Sequence, residues 1–478
     1  MMKRTSVVVA LALALALAAG AGAQQKPDRS AAPKPGQAPD FTPPPVERRQ
    51  LSNGLPVWFV ELHKVPVAHV SLVVRSGSGA DPAGKFGVAS LTSEMLDEGA
   101  DARDALQIAD AVEYLGASLS TSSSFDASHV NLHVPAARVA DALAIMADVA
   151  RRPTFPEKEL QRIREEQLTS LLQAQDDPEE LVRFAFPRLV FGPRHRYGTR
   201  AAGTAAALKG FSAGDLQQFH TTHYVPANAV LVVTGDTTPA AALPMLEAAF
   251  GSWKGAAPPA ARVADAPQLK ARQVYLIDKP GAAQSQIRIG WVGVPRSTPD
   301  YFALRVLNTI LGGAFTSRLN TNLREQHGYA YGAGSAFDMR GAAGPFYAAA
   351  GVQTDKTSES LREFFKELEG IRQPVPAEEL EKAKNYLALS FPQNFETTAA
   401  VAASLAQQVV YGLPDDYFAT FTRRVRGVTA ADLQRVAQRY IQPDKFAVVV
   451  IGDRKVIEPG IKALNLGTIR IVTIEEVM

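Results

Sequence analysis

The amino-acid sequence predicts an α+β protein made of two homologous halves, each with helices packed on a mainly antiparallel sheet. An internal repeat is the first reason, because residues Phe211–Asp236 align without gaps with residues Val428–Asp453. Each copy predicts a helix that begins after a hydroxyl side chain, Ser212 or Thr429, and is followed by a proline turn and an apolar strand. The second reason is that helix and strand patterns within each half do not alternate strictly.

The N-terminal residues 1–23 have the pattern of a signal peptide. Lys3 and Arg4 are positively charged, Val7–Ala19 is apolar, and the small residues that end at Ala23 suit a cleavage site. We therefore expect the chain to be exported, most simply to a bacterial periplasm, and to keep no membrane span after cleavage. An uncleaved N-terminal anchor is the alternative.

The composition also predicts where the domains begin and end. Residues 24–45 are rich in proline and alanine and predict a flexible leader. We expect an N-terminal domain at residues 46–254 and a C-terminal domain at residues 269–478, with one copy of the repeat in each. Residues 255–268 lie between them, contain three prolines and predict a linker.

Within the first half, periodic patterns of apolar residues predict both strands and helices. The strands are Leu55–Val60, Ala68–Arg75 and Ser128–Val134, and the helices are Ala102–Leu115, Val139–Ala150 and Glu157–Gln175. Composition further excludes some functions. The formal net charge of +2 gives no reason to expect nucleic acid as a partner. Because the sequence has no cysteine, disulfides and thiolate metal sites are excluded.

One stretch, Leu311–Gly334, carries most of the functional signal. Gly312 and Gly313 predict the end of a preceding helix, since glycine disfavours helix interiors. Residues Phe315–Glu325 predict a second short helix, which Gly328 ends. A strand with alternating side chains follows it.

Arg324 lies near the end of that second helix and Tyr331 lies on the strand, so the two are predicted to face one another across a turn. An arginine beside a tyrosine hydroxyl offers hydrogen-bond donors that can hold a carbonyl oxygen or a developing oxyanion. The spacing alone leaves an alternative, in which a surface arginine and a sheet tyrosine never meet.

The same stretch resembles the C-terminal-domain signature of the insulinase/pitrilysin metallopeptidase family. The family pattern G-G…S-R-L…L-R-E…G-x-A-Y is matched by Gly312, Gly313, Ser317, Arg318, Leu319, Leu323, Arg324, Glu325, Gly328, Ala330 and Tyr331. The resemblance covers nearly the whole chain from Val46 and implies the mitochondrial-processing-peptidase-like metallohydrolase fold. It also implies that Arg324 and Tyr331 help to position the scissile carbonyl of a peptide.

The first half departs from the family where the metal site is expected. Members that cut peptides carry H-x-x-E-H on a helix, in which two histidines and a distal glutamate hold zinc and the motif glutamate activates water. The matching stretch is Gly87–Gly99, where Ser90 and Glu94 stand at the histidine positions and Ser93 stands at the position of the base. Counting back from an Asp-Asp-Pro turn places Ser170 at the third ligand position.

These four residues supply one carboxylate and no imidazole, so we expect no zinc and no other cofactor in this chain. Two histidine pairs elsewhere, His220 with His223 and His129 with His133, have no carboxylate at a recognisable spacing. A serine hydrolase is also disfavoured, because no G-x-S-x-G elbow surrounds Ser90.

A lost metal site in one half and a retained Arg324 and Tyr331 in the other indicate a divided active site. Some bacterial and mitochondrial members of the family split the work between a zinc-bearing chain and a chain that supplies the arginine and tyrosine. The resemblance therefore implies a non-catalytic subunit of an exported heterodimeric zinc metallopeptidase, inactive in isolation. Its partner would be a zinc-bearing homologue, and its substrate a peptide or unfolded polypeptide. A purely structural or assembly homologue and a stand-alone peptidase with an unorthodox site are the alternatives.

Overall fold

Two six-stranded sheets, one in each half, form the framework of residues 41–478, the part of the chain that the computed structural model describes. The expected signal peptide and the first part of the expected leader, residues 1–40, lie outside the described residues. Within residues 41–478, no helix combines the length and the apolar character that crossing a membrane requires.

The first half contains one large sheet and a two-stranded ribbon. Its strands are β1 (Glu47–Gln50), β2 (Pro56–Glu61), β3 (Val67–Val74), β4 (Gly99–Ala100), β5 (Arg103–Asp104), β6 (Ser118–Ser123), β7 (Ser128–Pro135) and β8 (Ala229–Gly235). Its helices are α1 (Val88–Glu94), α2 (Ala105–Tyr114), α3 (Val139–Arg151), α4 (Glu157–Ala174), α5 (Pro178–Phe191), α6 (Ala205–Gly210), α7 (Ala213–His223) and α8 (Pro239–Phe250).

The second half repeats this plan. Its strands are β9 (Gln273–Asp278), β10 (Gln284–Val292), β11 (Ala330–Phe337), β12 (Pro345–Gln353), β13 (Ala447–Gly452) and β14 (Thr468–Val472). Its helices are α9 (Tyr301–Asn308), α10 (Arg318–Asn320), α11 (Thr357–Gly370), α12 (Ala377–Ser390), α13 (Thr398–Tyr411), α14 (Tyr417–Arg426), α15 (Ala430–Tyr440), α16 (Arg454–Ala463) and α17 (Ile474–Val477).

The strand orders confirm that the halves are related. The first sheet runs β1-β2-β8-β3-β7-β6, and the second, taken from its far edge, runs β14-β9-β13-β10-β12-β11. In both sheets the second strand is parallel to the third. The third and fourth, fourth and fifth, and fifth and sixth strands pair antiparallel. The sheets differ at one edge, where β1 is antiparallel to β2 but β14 is parallel to β9. The predicted α+β class is therefore confirmed.

The repeated segments form the same local structure in both halves. Ser212 caps α7 and Thr429 caps α15, and each belongs to a capping box in which an aspartate three residues later bonds back to the backbone of the cap residue. The strands that follow, β8 and β13, occupy equivalent central positions in their sheets. Elsewhere the predicted helix Ala102–Leu115 begins only at Ala105, because the two preceding residues pair as β5.

The two halves exchange helices across their sheets. Helix α13 of the second half covers a face of the first sheet, where Val401 and Leu405 pack in one apolar cluster with Val73, Val230 and Val232. Helix α5 of the first half covers the corresponding face of the second sheet in another apolar cluster, whose members from the two halves include Leu181, Phe186, Val449 and Ile451. Each half thus removes apolar surface of the other from water, which is the main favourable term in folding.

Candidate functional site

Helix α1 carries the residues at which the resemblance places the family's metal motif, and its start is fixed from several sides. Gly87 precedes it with a φ of 111°, a conformation that favours glycine, and an added Cβ there would lie 2.5 Å from the carbonyl oxygen of Ala202. The buried carboxylate of Asp81 accepts hydrogen bonds from the backbone N–H of Gly87 at 2.7 Å and of Ala89 at 3.0 Å. Arg196 pairs with the same carboxylate at 2.9 Å. The motif helix is therefore held firmly in place.

Glu94 ends this helix, and both of its carboxylate oxygens are engaged by the chain itself. Ser90 donates a hydrogen bond to Oε1 at 3.3 Å, and the side-chain amide of Gln167 donates to Oε2. Burial raises the pKa of Glu94, and these two hydrogen bonds only partly oppose the rise. Glu94, which the resemblance places at a histidine position, is thus a structural member of a small polar network.

Ser93, at the position of the catalytic base, points into the protein interior. Its side chain is fully buried, and it lies close enough to the equally enclosed Tyr224 to influence its hydroxyl. Burial raises the pKa of Tyr224 to about 12. Within the described residues, neither the Ser93 hydroxyl nor the Tyr224 hydroxyl has a hydrogen-bond partner. A buried hydroxyl without a basic neighbour cannot take a proton from water, so Ser93 is unsuited to the role of base.

The structure does not bring Ser170 to the motif helix, although counting along the sequence placed it at the third ligand position. Ser170 is exposed, whereas Gln167, three residues earlier, reaches Glu94. The reason is the rotation of α4 about its axis. Its inward-facing residues recur every three or four positions, and Ser170 is not one of them. The residues of this inward face are Leu160, Ile163, Gln167, Leu171 and Ala174.

The donor set around α1 does not fit zinc. It offers one carboxylate, two serine hydroxyls and one amide, and the carboxylate oxygens already accept hydrogen bonds from the chain. Across residues 41–478, no group of three or more histidine, cysteine, aspartate or glutamate side chains is placed to hold a metal ion.

The histidine pairs have structural surroundings. His220 is buried and its Nε2 donates to the carbonyl oxygen of Ala150 at 2.9 Å, while burial lowers its pKa. His223 contacts the hydroxyl of Ser76 at 3.1 Å through Nδ1. His129 lies on β7, where burial again lowers the pKa.

In the second half, α9 ends at Asn308 and the chain continues as a wider π-helical turn, Thr309–Gly313. Gly312 allows this turn to approach β11 closely, since a Cβ there would lie 2.2 Å from the backbone nitrogen of Ser335. Asn308 fastens the contact, because its side chain donates to the carbonyl oxygen of Ser335 at 3.0 Å and accepts from its hydroxyl at 2.8 Å. Wider turns of this kind occur frequently at functional sites.

The second helix is shorter than the sequence predicts. The prediction of Phe315–Glu325 was wrong at its start, because α10 begins only at Arg318 and a second π turn, Thr321–Gln326, follows it. Asn320 explains the difference. Its amide donates to the carbonyl oxygen of Phe315 at 2.7 Å and its oxygen accepts from the backbone of Ala333 at 3.1 Å, which holds the preceding residues in a loop against β11.

Arg324, on the second π turn, and Tyr331, on β11, lie side by side. The guanidinium carbon of Arg324 is 5.3 Å from the centre of the Tyr331 ring and 4.6 Å from the centre of the Phe315 ring. Tyr331 is 87% exposed and Phe315 is 65% exposed. We call Phe315, Arg324 and Tyr331 the arginine–tyrosine patch. The sequence did not predict a role for Phe315. Nothing in the position of Phe315, between the glycine pair and the helix, indicated that its side chain would be exposed to solvent.

A break in strand pairing explains why Tyr331 points outward. The register between β11 and β12 shifts between Ala330 and Ala333, so the intervening Tyr331 and Gly332 have no partner across the pair. Because β11 is the edge strand of its sheet, the patch is open to another molecule. The only ion pair of Arg324 among the described residues is with its neighbour Glu325, at 3.2 Å.

The fold and these two regions are those of a peptidase-like protein, and comparison with known proteins identifies the family. Residues 57–191 match the insulinase family (peptidase family M16), and residues 210–387 match the peptidase M16 inactive domain. The chain belongs to the insulinase (M16) family of peptidases.

Relatives cover most of the chain. An uncharacterized zinc protease of Mycobacterium tuberculosis is 26% identical over 409 residues, which are 85% of this chain and 92% of that protein. The crystal structure of a peptidase M16 inactive domain from Pseudomonas fluorescens is 26% identical, with a TM-score of 0.79 over 85% of this chain and 98% of that one. A Helicobacter pylori protease, 22% identical, shares the fold with a TM-score of 0.80 over 86% of this chain and 100% of that one.

Proposed function

We propose that this chain is the non-catalytic subunit of an exported zinc metallopeptidase heterodimer. It supplies Arg324 and Tyr331 to bind a peptide and stabilise the scissile carbonyl, while a homologous partner chain carries the H-x-x-E-H motif and the zinc. One observation carries the proposal. The metal-motif positions of the first half are closed by contacts within the chain, whereas the arginine–tyrosine patch is exposed and bulged outward from an edge strand.

The chemistry of the patch suits a carbonyl oxygen. The Tyr331 hydroxyl donates one hydrogen bond, and the Arg324 guanidinium donates several in a planar arrangement. Donors placed where negative charge develops stabilise a transition state more than the ground state, because their strength grows with that charge. Phe315 and the Tyr331 ring flank the guanidinium and limit its freedom, which reduces the cost of ordering it when substrate binds.

The relatives support the two halves of this proposal separately. Matches to zinc proteases support a peptidase context, and the similarity to an M16 inactive domain supports a chain without its own metal centre. The expected signal peptide supports export. A purely structural or assembly role is the competing function, and the exposed patch argues against it, since such a role does not need Arg324 and Tyr331 to be displayed together.

Reconstitution with a zinc-bearing homologue tests the proposal. A suitable partner is an exported homologue with an intact H-x-x-E-H motif encoded beside this chain. We expect this chain alone to contain no stoichiometric zinc and to show no chelator-sensitive peptide cleavage. Mixing should give a heterodimer on size-exclusion chromatography and cleavage that neither chain shows alone.

Two results would contradict the proposal in different ways. Full activity of the zinc-bearing chain by itself would leave this chain with an assembly role. Stoichiometric zinc together with cleavage by this chain alone would make it a stand-alone peptidase. Recovery of the mature chain in a periplasmic fraction, with a cytoplasmic enzyme as marker for leakage, separately tests export.

A further inference from the structure

A cavity of about 480 Å³ lies next to the turn that carries Arg324. Thr321 and Asn322 line it from that π turn, Glu367 lines it from α11, and Lys382 lines it from α12. Arg324 itself is not among its walls. The volume is within the range of small-molecule sites, which are concave and combine apolar walls with a few polar groups.

One wall of the cavity contains a buried acceptor that the chain leaves unused. Asn322 is only 2% exposed, and its amide nitrogen donates to Glu363 at 2.9 Å and to Glu367 at 2.7 Å. These two bonds fix the orientation of the amide, so its oxygen is the atom without a partner. Within residues 41–478, no donor reaches that Oδ1. Because buried polar groups are normally hydrogen-bonded, the position calls for an N–H donor, and the neighbouring Glu367 carboxylate favours a charged one.

The same cavity also contains positively charged side chains, which can bind an anionic group of the ligand. Lys382 is exposed and makes no ion pair with any residue that the structure describes. Arg318 is bound through Nε to Glu379 at 2.8 Å, so its terminal nitrogens can serve an anion. Arg318 and Asn322 are four residues apart, about one helical turn, and therefore neighbours on the helical surface. Donor and acceptor groups thus lie within the span of one small molecule.

The remaining walls match a compact ligand without net charge. The charged side chains that line the cavity, Arg318, Lys382, Glu367 and Glu379, sum to zero. Ile310 and Ala383 add apolar surface, and Tyr386 adds an exposed ring. A ligand with one positive end, one negative end and an apolar side chain satisfies each of these features.

We propose that the cavity binds a small zwitterion, a free amino acid or a dipeptide with an apolar side chain. Its ammonium group lies toward Asn322 and Glu367, and its carboxylate lies toward Lys382 and Arg318. Such molecules are end products of peptide hydrolysis, and this link to metabolism rests on the proposed function. The binding itself does not, because it is a property of this chain alone.

Isothermal titration of the purified full chain tests the proposal with four probes. L-leucine and leucyl-leucine carry both charges, N-acetyl-leucine lacks the ammonium, and leucinamide lacks the carboxylate. We expect saturable binding of L-leucine, leucyl-leucine or both. The tighter-binding probe shows whether the cavity prefers a free amino acid or a dipeptide. Each masked probe should bind at least about tenfold more weakly, because it loses charge-assisted hydrogen bonds.

Substitutions locate the binding to the cavity. Lys382→Glu should abolish it and Tyr386→Ala should weaken it, and both sites are exposed, so folding should be preserved. Lys455→Glu is the matched control, an exposed helical lysine of the same half that lies outside the cavity, and it should bind normally. Absence of binding by either zwitterion would overturn the proposal. So would equal binding of the masked probes, or equal binding by the Lys382→Glu and Lys455→Glu variants.

Discussion

The metal-motif positions of the first half and the arginine–tyrosine patch of the second half occupy related places in related folds, but their side chains are in opposite states. Helix α1 packs against edge strand β6, and the π turn after α9 packs against edge strand β11. Around α1, Ser90, Glu94 and Gln167 bind one another and are buried or half-buried. Around the π turns, Phe315 and Tyr331 are exposed, and the half-buried Arg324 lies between them.

The two edge strands show how this difference is built. The pairing of β6 with β7 is in continuous register, and the exposed side chains of β6 are serines. The pairing of β11 with β12 is interrupted at the bulge that turns Tyr331 outward. The hydrogen bonds among Ser90, Glu94 and Gln167 lower the cost of burying these polar groups. Exposed aromatic groups gain little from folding, and the proposed contact with a peptide substrate gives their placement a role.

The two halves differ in their chemistry, but we expect that neither half folds without the other. A fragment of residues 41–254 loses α13, which covers Val73, Val230 and Val232. We expect it to be insoluble or to unfold without cooperativity, since this apolar face becomes exposed. Circular dichroism with urea checks the result. Coexpression with residues 255–478 is the control and should restore a soluble complex, whereas a cooperative transition in the isolated fragment would contradict the mutual cover.

Rebuilding the metal motif tests whether the first half has lost only its ligands. We expect Ser90→His/Glu94→His/Gln167→Glu to bind zinc with a dissociation constant of about 10⁻⁶ M or tighter, because two imidazoles and a carboxylate then meet around α1. The matched control replaces Gln167→Glu by Ser170→Glu and should bind far more weakly, because Ser170 is exposed away from α1. Zinc titration monitored by calorimetry distinguishes them. Equal affinity of the two triple variants would show that the phase of α4 does not decide the third ligand.

In the second half, Tyr331→Phe removes one hydroxyl and little volume. In the reconstituted heterodimer we expect kcat to fall by about 10²–10³ with a smaller change in KM, the cost of losing one oxyanion donor. Tyr114→Phe is a matched control, because Tyr114 is also a surface tyrosine, 85% exposed, but lies in the first half. Size-exclusion chromatography verifies that the heterodimer forms, so that a failure to assemble is not mistaken for a loss of catalytic activity. Normal turnover of an intact Tyr331→Phe complex would remove the tyrosine from the mechanism.

Arg324→Lys keeps the charge and loses the planar guanidinium. We expect activity to remain impaired by roughly tenfold or more, because an ammonium group offers neither the paired donors nor the stacking on Phe315 and Tyr331. Arg424→Lys provides the comparison, since that guanidinium also lies over a phenyl ring, 5.6 Å from the centre of Phe302, and outside the patch. If both variants retain full kcat, charge alone suffices at Arg324.

The sequence could predict the patch because its geometry is local. Arg324 and Tyr331 are seven residues apart, and a single turn at Gly328, with a φ of 66°, brings them together. The shape of the supporting turns was not predictable in the same way. A pattern of 3.6 residues per turn suggests one regular helix, whereas the side-chain bonds of Asn320 to Phe315 and Ala333 depend on the position of β11.

The contact between Gln167 and Glu94 lies beyond sequence reasoning for a related reason. It depends on how α4 is rotated against α1, and that rotation is set by the packing of several leucine and isoleucine side chains into a shared core. A residue count from a turn fixes distance along the chain and not the helix face, so it selected Ser170. The exchange of α5 and α13 between the sheets is likewise a tertiary arrangement, which periodicity within each helix does not specify.

The smallest expected effect concerns the stability of the closed first-half network. Burial raises the pKa of Glu94, so ionisation is less favourable in the folded protein than in the unfolded chain. That cost is present above the ordinary glutamate pKa and disappears at low pH, where both states are protonated. Glu94→Gln removes the charge, and we expect a small gain in the free energy of unfolding at pH 7 and none near about pH 3. Urea unfolding at the two pH values, with exposed Glu113→Gln as control, checks it. A loss of stability at pH 7 would mean that Ser90 and Gln167 stabilise the carboxylate by more than burial destabilises it.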